Sequence, residues 1–389
     1  MNGLADRLDP LLSNIIKNGP PGCACLVTYQ GKTVYENYLG LSDIETKKQI
    51  TPNTIYRLFS LTKIVTCVAA LILYERGKFL LNDPLEEYLP EFKNLKVFKE
   101  TNGKVYTVPS SKKLTIKDLF TMTSGITYPG VGNETERMTE SVMKGIQNRI
   151  DNGQKISLRD ISREIAEVPL AFEPGTEWQY GLSHDILGVL IEEISGKRLG
   201  QFMEDEIFQP LSMSDTFFTV PKDKIERIAS VYSIDADGVL STGVNTVGPI
   251  RINQPYESGG AGLYSTLHDY SQFAQMLANG GSLNGVRIIG RKTIELMAQN
   301  HLTVENNKNY NWDYLKGYGY GLGVRVMEDL ALGGINSSKG EFGWSGILGT
   351  WALIDPKERV SAVYMQQLFP NFEAHYQPRL RAVIYSSIP

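Results

Sequence analysis

Apolar residues Leu4, Leu8, Leu11, Leu12 and Ile15 recur at helical spacing and predict a short amphipathic helix at the start of the chain. The run CACLVTYQ, the pair Gly31-Lys32 and the run TVYENYLG then predict a β-hairpin turning near residues 30–32. Residues 60–76, SLTKIVTCVAALILYER, are apolar almost all round, which is the pattern of a buried helix. Gly77 suits the position just past its end, and Asp83-Pro84 breaks the chain soon after. Helical patterns fill the middle: LTIKDLFTM, the polar stretch 134–165, SHDILGVLIEEISG and HDYSQFAQMLANGG. The strand pattern returns in YGYGLGVRV, and again in TWALIDPKERVSAVYMQQL with Asp355-Pro356 in its turn. A last helix is expected over about 378–388. Strands near both termini with helices between them predict an α/β (α+β) fold, an antiparallel sheet flanked by helices with a helical region inserted into it. The corresponding division is 1–78 with 318–389 for the sheet region and 79–317 for the helical region, with a functional cleft between them.

Bulk properties narrow the class. The chain has 389 residues, 42% hydrophobic and 21% charged, enough for a large core. A net charge of -4 and a pI near 5.8, with scattered Lys and Arg, argue against nucleic-acid partners and against a polybasic membrane patch. No apolar run approaches bilayer length, and the first residues lack the basic and apolar blocks of an export signal. A cytoplasmic location is therefore expected. Cys23, Cys25 and Cys67 are too few for a disulfide framework. Cys23 and Cys25, two apart on one strand, are expected to share a face as small buried hydrophobes.

The sharpest chemistry is Ser60-Leu61-Thr62-Lys63 at the start of the buried helix. Three residues is almost one turn, so the Ser60 hydroxyl and the Lys63 amine share a face. A serine hydroxyl becomes a good nucleophile when a neighbouring base takes its proton. Lysine can be that base if its pKa falls, as desolvation and a helix N-terminus would make it do. The first-turn N–H groups point where an oxyanion would form. The plainer alternative, a capping serine with a solvated lysine, is disfavoured by the flanking apolar run Ile64–Leu71. Tyr180 follows the turn Pro174-Gly175 and precedes a helix opening at Ser183, a loop setting that suits a catalytic side chain, although twenty tyrosines make a core role common. Gly343-Trp344-Ser345-Gly346-Ile347-Leu348-Gly349-Thr350 precedes the strand TWALID, where glycines let backbone approach a ligand or a neighbouring strand.

This order resembles the serine β-lactamase and penicillin-binding superfamily, whose signatures include Ser-x-x-Lys. IYRLFSLTKIVT, LTIKDLFTMTSGI, FEPGTEWQYGLSHDILGVLIEEISGKRLGQFMEDEIFQPLSMSDTFF and SGGAGLYSTLHDYSQFAQMLANGG are similar to landmarks of its class C branch. The resemblance implies a β-lactamase/transpeptidase-like fold with Ser60 as acylated nucleophile, Lys63 as its activating partner and Tyr180 as proton shuttle. It implies backbone N–H groups of Ser60 and Ile347 as the oxyanion hole. Leu182 stands where the β-lactamases carry the Asn of Tyr-x-Asn, and Trp344-Ser345-Gly346 stands where they carry Lys-Thr-Gly. Leu182, Trp344, Ser345 and Gly346 are thus the expected substrate-binding positions. Both replacements resemble family VIII carboxylesterases and related amidases and acyltransferases.

The expected partner is a small-molecule acyl substrate, whether ester, amide or β-lactam, with no cofactor. The histidines His184, His268, His301 and His375 show no metal-ligand spacing. Neither a G-x-S-x-G elbow nor a G-x-G-x-x-G loop is present. The leading expectation is a carboxylesterase-type serine hydrolase. An acyltransferase, a D-amino-acid amidase or peptidase, a weak β-lactamase and a non-catalytic binding relative are the alternatives. The insertion 128–165 and the aromatic loop Tyr310-Asn311-Trp312-Asp313-Tyr314 are the candidates to roof the cleft.

Overall fold

A computed structural model describes residues 3–243 and 256–389. The first helix, α1 (Leu4–Lys17), buries Leu4, Leu8, Leu12 and Ile15. It is followed by β1 (Gly22–Tyr29) and β2 (Lys32–Asp43), joined through Gln30 and Gly31. Both turn residues have positive φ, the twist that lets a two-residue loop close a hairpin. With β3 (Lys48–Gln49) these strands form one edge of an eight-stranded sheet. The chain's last third supplies the rest: β6 (Tyr318–Tyr320), β7 (Arg325–Met327), β8 (Phe342–Ser345), β9 (Trp351–Asp355) and β10 (Val360–Met365). The order is β6-β7-β8-β9-β10-β1-β2-β3, antiparallel throughout, so the first and last strand groups meet where β1 pairs β10. Between β3 and β6 lies a separate short pair, β4 (Ile55–Arg57) with β5 (Tyr264–Thr266).

Alternation along β1 fixes what each face buries. Cys23, Cys25 and Val27 pack with α1, Trp351, Leu353 and the last helix in one core. Ala24 and Leu26 face the second and larger core, which holds α2 (Thr62–Glu75) and α7 (Leu267–Ala278). The three cysteines are free and buried. Between α2 and α7 come α3 (Ile116–Phe120), α4 (Glu134–Asp151), α5 (Leu158–Ala166) and α6 (Ser183–Ser195). The fold is thus an antiparallel sheet flanked by helices, with a helical region between its two strand groups. Among the described residues no helix is long and apolar enough to cross a membrane.

Three elements differ from the sequence expectations. YGYGLGVRV is two strands, because Gly323 takes φ +82° and Gly321 N–H bonds Val324 O, turning the chain into a hairpin. The last helix, α8 (Glu373–Tyr385), begins before Pro378 and carries that proline inside it. The helix-rich middle also holds a hairpin, Lys96–Thr101 with Lys104–Pro109.

Candidate active site

Ser60 sits in a single 3-10 turn, Phe59–Leu61, that runs directly into α2. Phe59 has φ +47°, a left-handed conformation that costs a non-glycine residue on the order of 1 kcal/mol. Such strain persists only where surrounding contacts over-determine the backbone. Here Leu58 is gripped from both sides, its N–H by Leu263 O and its carbonyl by the Thr350 hydroxyl at 2.9 Å.

Lys63, one turn on, is 0% exposed, so its amine is held wholly by protein groups. Nζ donates to Ser60 Oγ at 3.2 Å, to the Tyr128 hydroxyl at 2.8 Å and to the Gly260 carbonyl at 2.7 Å. Three acceptors for three N–H groups is the arrangement of an ammonium. Burial pulls its pKa down, but the oxygens of Tyr128 and Tyr180, with the Asp185 carboxylate, push it up further, and the net direction is upward. This corrects the expectation of a depressed lysine pKa: the sequence shows the apolar flanks but not the oxygens facing the amine. Burial, the largest cause, raises the Tyr128 pKa despite the opposing effect of Lys63, so that phenol is neutral.

Tyr180 lies with its ring 4.6 Å from Lys63 Nζ and 5.5 Å from the Tyr128 ring. Its oxygen accepts a 2.9 Å bond from Trp344 Nε1. Trp344 is 3% exposed and its N–H is engaged, so the indole supports the tyrosine instead of offering a free donor to a ligand. Leu182 is likewise buried in the main core, at the turn that opens α6. The Ser345 hydroxyl donates to Glu373, the first residue of α8. Gly346 follows the end of β8, where an added Cβ would overlap the Leu58 carbonyl oxygen and the Thr350 hydroxyl. Only glycine lets this turn close against the segment before Ser60. Ile347 comes next and is 41% exposed.

Two site residues escaped the sequence reading. Tyr128 follows TSGIT by one residue, so the similar segment LTIKDLFTMTSGI stopped just short of it. The loop carrying Gly260 is the other: Asp185 accepts from Ser258 Oγ at 2.5 Å and from Gly260 N–H at 3.3 Å, which presents the Gly260 carbonyl to Lys63. An added Cβ at Gly260 would press on Asp185. His184 is buried beneath the site, bonded through Nε2 to Phe120 O at 3.2 Å, and burial lowers its pKa to about 3. Trp312 of the aromatic loop packs edge-on to Tyr180 at 5.6 Å and thereby walls the site.

The arrangement is a half-buried hydroxyl, a buried amine and two half-buried phenols, with a backbone turn tied beside the hydroxyl segment. It can move a proton and receive an oxyanion.

The sequence profile described as Beta-lactamase matches residues 8–386. Protein Rv1367c of Mycobacterium tuberculosis is 30% identical over 362 residues, covering 90% of this chain and 86% of the relative. Esterase EstB of Burkholderia gladioli is 29% identical over 372 residues, covering 90% and 87%. Among solved structures, EstCE1, described as a hydrolase with promiscuous acyltransferase activity, superposes with a TM-score of 0.81 at 24% identity, covering 98% of each chain.

Proposed function

We propose, from the premise that the chain belongs to the beta-lactamase family, that it is a serine acyl hydrolase acting on carboxylic esters through an acyl-enzyme on Ser60. The observation that carries this reading is the buried Lys63 amine 3.2 Å from Ser60 Oγ and 2.8 Å from the Tyr128 hydroxyl. In the proposed cycle Ser60 Oγ attacks the ester carbonyl while its proton passes to the Lys63–Tyr128 pair, once that pair has lost a proton. The oxyanion forms against the N–H groups of Ser60 and Ile347. The bond to the alcohol oxygen breaks, and Tyr180 protonates the departing oxygen. Tyr180 suits that role because its oxygen accepts from Trp344, leaving its own hydrogen free for another acceptor. Water then attacks the acylated serine, giving its proton to the Tyr180 oxygen, while the Lys63–Tyr128 pair returns its proton to Ser60 Oγ as the acid is released.

Esters are favoured over β-lactams for two reasons. Trp344 occupies the position where a lysine would attract a carboxylate, and Ser345 is bonded to a carboxylate already. EstB, described as an esterase, supports the same substrate class. A second reading, acyl transfer to an alcohol in place of water, is favoured by the half-buried rings of Trp312 and Tyr180, 5.6 Å apart, which can bind an organic acceptor. A fluorophosphonate probe tests the proposal: it should label the protein once, on the peptide containing Ser60, and leave Ser60→Ala unlabelled. Stoichiometric labelling of Ser60→Ala would overturn it.

A further inference from the structure

The last helix begins on a carboxylate that faces the site, and its neighbours are aromatic. Glu373 accepts from the Ser345 hydroxyl and from Gln377 Nε2 at 3.0 Å, and burial together with the nearby Glu373 carboxylate holds the Tyr314 phenol above its ordinary pKa. Its position beside the Gly346 turn is fixed independently. Asn371 Nδ2 bonds Gly346 O at 3.4 Å and Asn371 Oδ1 accepts from Glu373 N–H at 3.0 Å, so the segment entering α8 is tied to the turn that carries Ile347. Next to the carboxylate, Tyr314 stacks on Trp312 with rings 6.0 Å apart and 15° from parallel. Both rings, like Glu373, are half-buried and so reach solvent. Trp312 continues the row to Trp344 at 6.1 Å and to Tyr180 at 5.6 Å.

Aromatic faces beside a carboxylate form the chemistry that receives a weakly hydrated cation. The ring quadrupoles attract positive charge, and the carboxylate supplies a full counter-charge. An anionic substrate group would meet the same carboxylate as repulsion at a partly desolvated surface. Resting on the ester-hydrolase reading above, we propose that Trp312, Tyr314 and Glu373 form a subsite for a cationic group of the substrate, with a quaternary or tertiary ammonium as its chemical class. The subsite rejects carboxylate-bearing substrates, which adds a repulsive element to the loss of the lysine at position 344.

The experiment uses matched neutral and cationic esters. Charge is placed in the alcohol (acetylcholine against 3,3-dimethylbutyl acetate) or in the acyl chain (p-nitrophenyl 5-trimethylammoniopentanoate against p-nitrophenyl 6,6-dimethylheptanoate). The cationic-to-neutral ratio of kcat/KM in the wild-type protein should exceed that in Glu373→Gln on the order of tenfold in at least one pair, and comparing the two proteins cancels leaving-group differences. Glutamine keeps an oxygen for Ser345, so the variant retains the fold. Binding of the same esters to Ser60→Ala, followed by tryptophan fluorescence, gives a readout that needs no turnover. There the Kd of the cationic ester should weaken on adding Glu373→Gln while that of the neutral ester stays put. Absence of turnover with every ester would therefore overturn the hydrolase reading and leave the subsite to be decided by binding. Equal ratios in the two proteins, or cationic-ester Kd values unmoved by Glu373→Gln, would overturn the subsite.

Discussion

The hydroxyl of Tyr128 accepts a 2.8 Å bond from Lys63 Nζ, a shorter contact than the 3.2 Å between that nitrogen and Ser60 Oγ. Tyr180, in contrast, presents its ring to the amine and bonds Trp344 through its oxygen. In the proposed cycle the two phenols therefore serve different steps. Tyr128→Phe should lower kcat about 10²-fold or more for every ester, because it disturbs the base. Tyr180→Phe should cost far more with an ethyl ester than with a p-nitrophenyl ester, whose leaving group needs no acid. Lys63→Ala combined with Tyr128→Phe should be far less than additive. Near wild-type rates for Tyr128→Phe would contradict the assignment.

The pH profile follows from the raised lysine. In the proposed cycle the reactive form has one proton fewer on the Lys63–tyrosine group, and the upward direction of the Lys63 shift keeps that proton on through neutral pH. kcat/KM should thus climb with pH, log-log slope about +1, from pH 6 toward 9. His184, pulled down to about 3 by burial, adds no limb near pH 6.5. A flat profile across that range would refute a protonated resting lysine.

The same histidine links stability to acid. His184 is neutral when folded and takes a proton only near pH 3, whereas the unfolded chain's histidine takes one near its ordinary value of 6.5. Between those values the unfolded state binds more protons, so stability falls as pH drops through the window. From pH 6.5 to 4 the loss from this residue is about 3 kcal/mol. Denaturant melts of wild type and His184→Gln should show a shallower acid slope in the variant. Parallel slopes would assign the acid sensitivity elsewhere.

Gly346→Ala tests the backbone turn. The added methyl would overlap the Leu58 carbonyl oxygen and the Thr350 hydroxyl, pushing the turn off the nucleophile segment. Losing one oxyanion donor costs roughly 10²–10³ in kcat. KM for a neutral ester should change much less, and circular dichroism should report a folded protein. An unchanged kcat would exclude this turn from the oxyanion site.

Much of this was legible in the sequence because it depends on local periodicity. The alternation in CACLVTYQ sends Cys23 and Cys25 to one core and Ala24 and Leu26 to the other. The three-residue step from Ser60 to Lys63 brings hydroxyl and amine together. What escaped depends on contacts distant in sequence. Tyr128 and Gly260 reach Lys63 across 65 and 197 residues, so no window around the lysine reveals that it donates to them. The resemblance makes Trp344 and Ser345 substrate-binding positions, but their polar atoms are bonded to Tyr180 and Glu373, residues no local pattern pairs with them. The hairpin within YGYGLGVRV was hidden because alternation looks the same in one strand or two; the positive φ of Gly323 decides it.

Covalent catalysis on Ser60 is read out by mixing the protein with excess p-nitrophenyl acetate and following nitrophenol release and intact mass together. A burst approaching one nitrophenol per chain is expected, with a single added acetyl group that maps to Ser60. Both signals should vanish in Ser60→Ala. An acetyl group carried by another residue, or a burst that survives in Ser60→Ala, would contradict covalent catalysis on that serine.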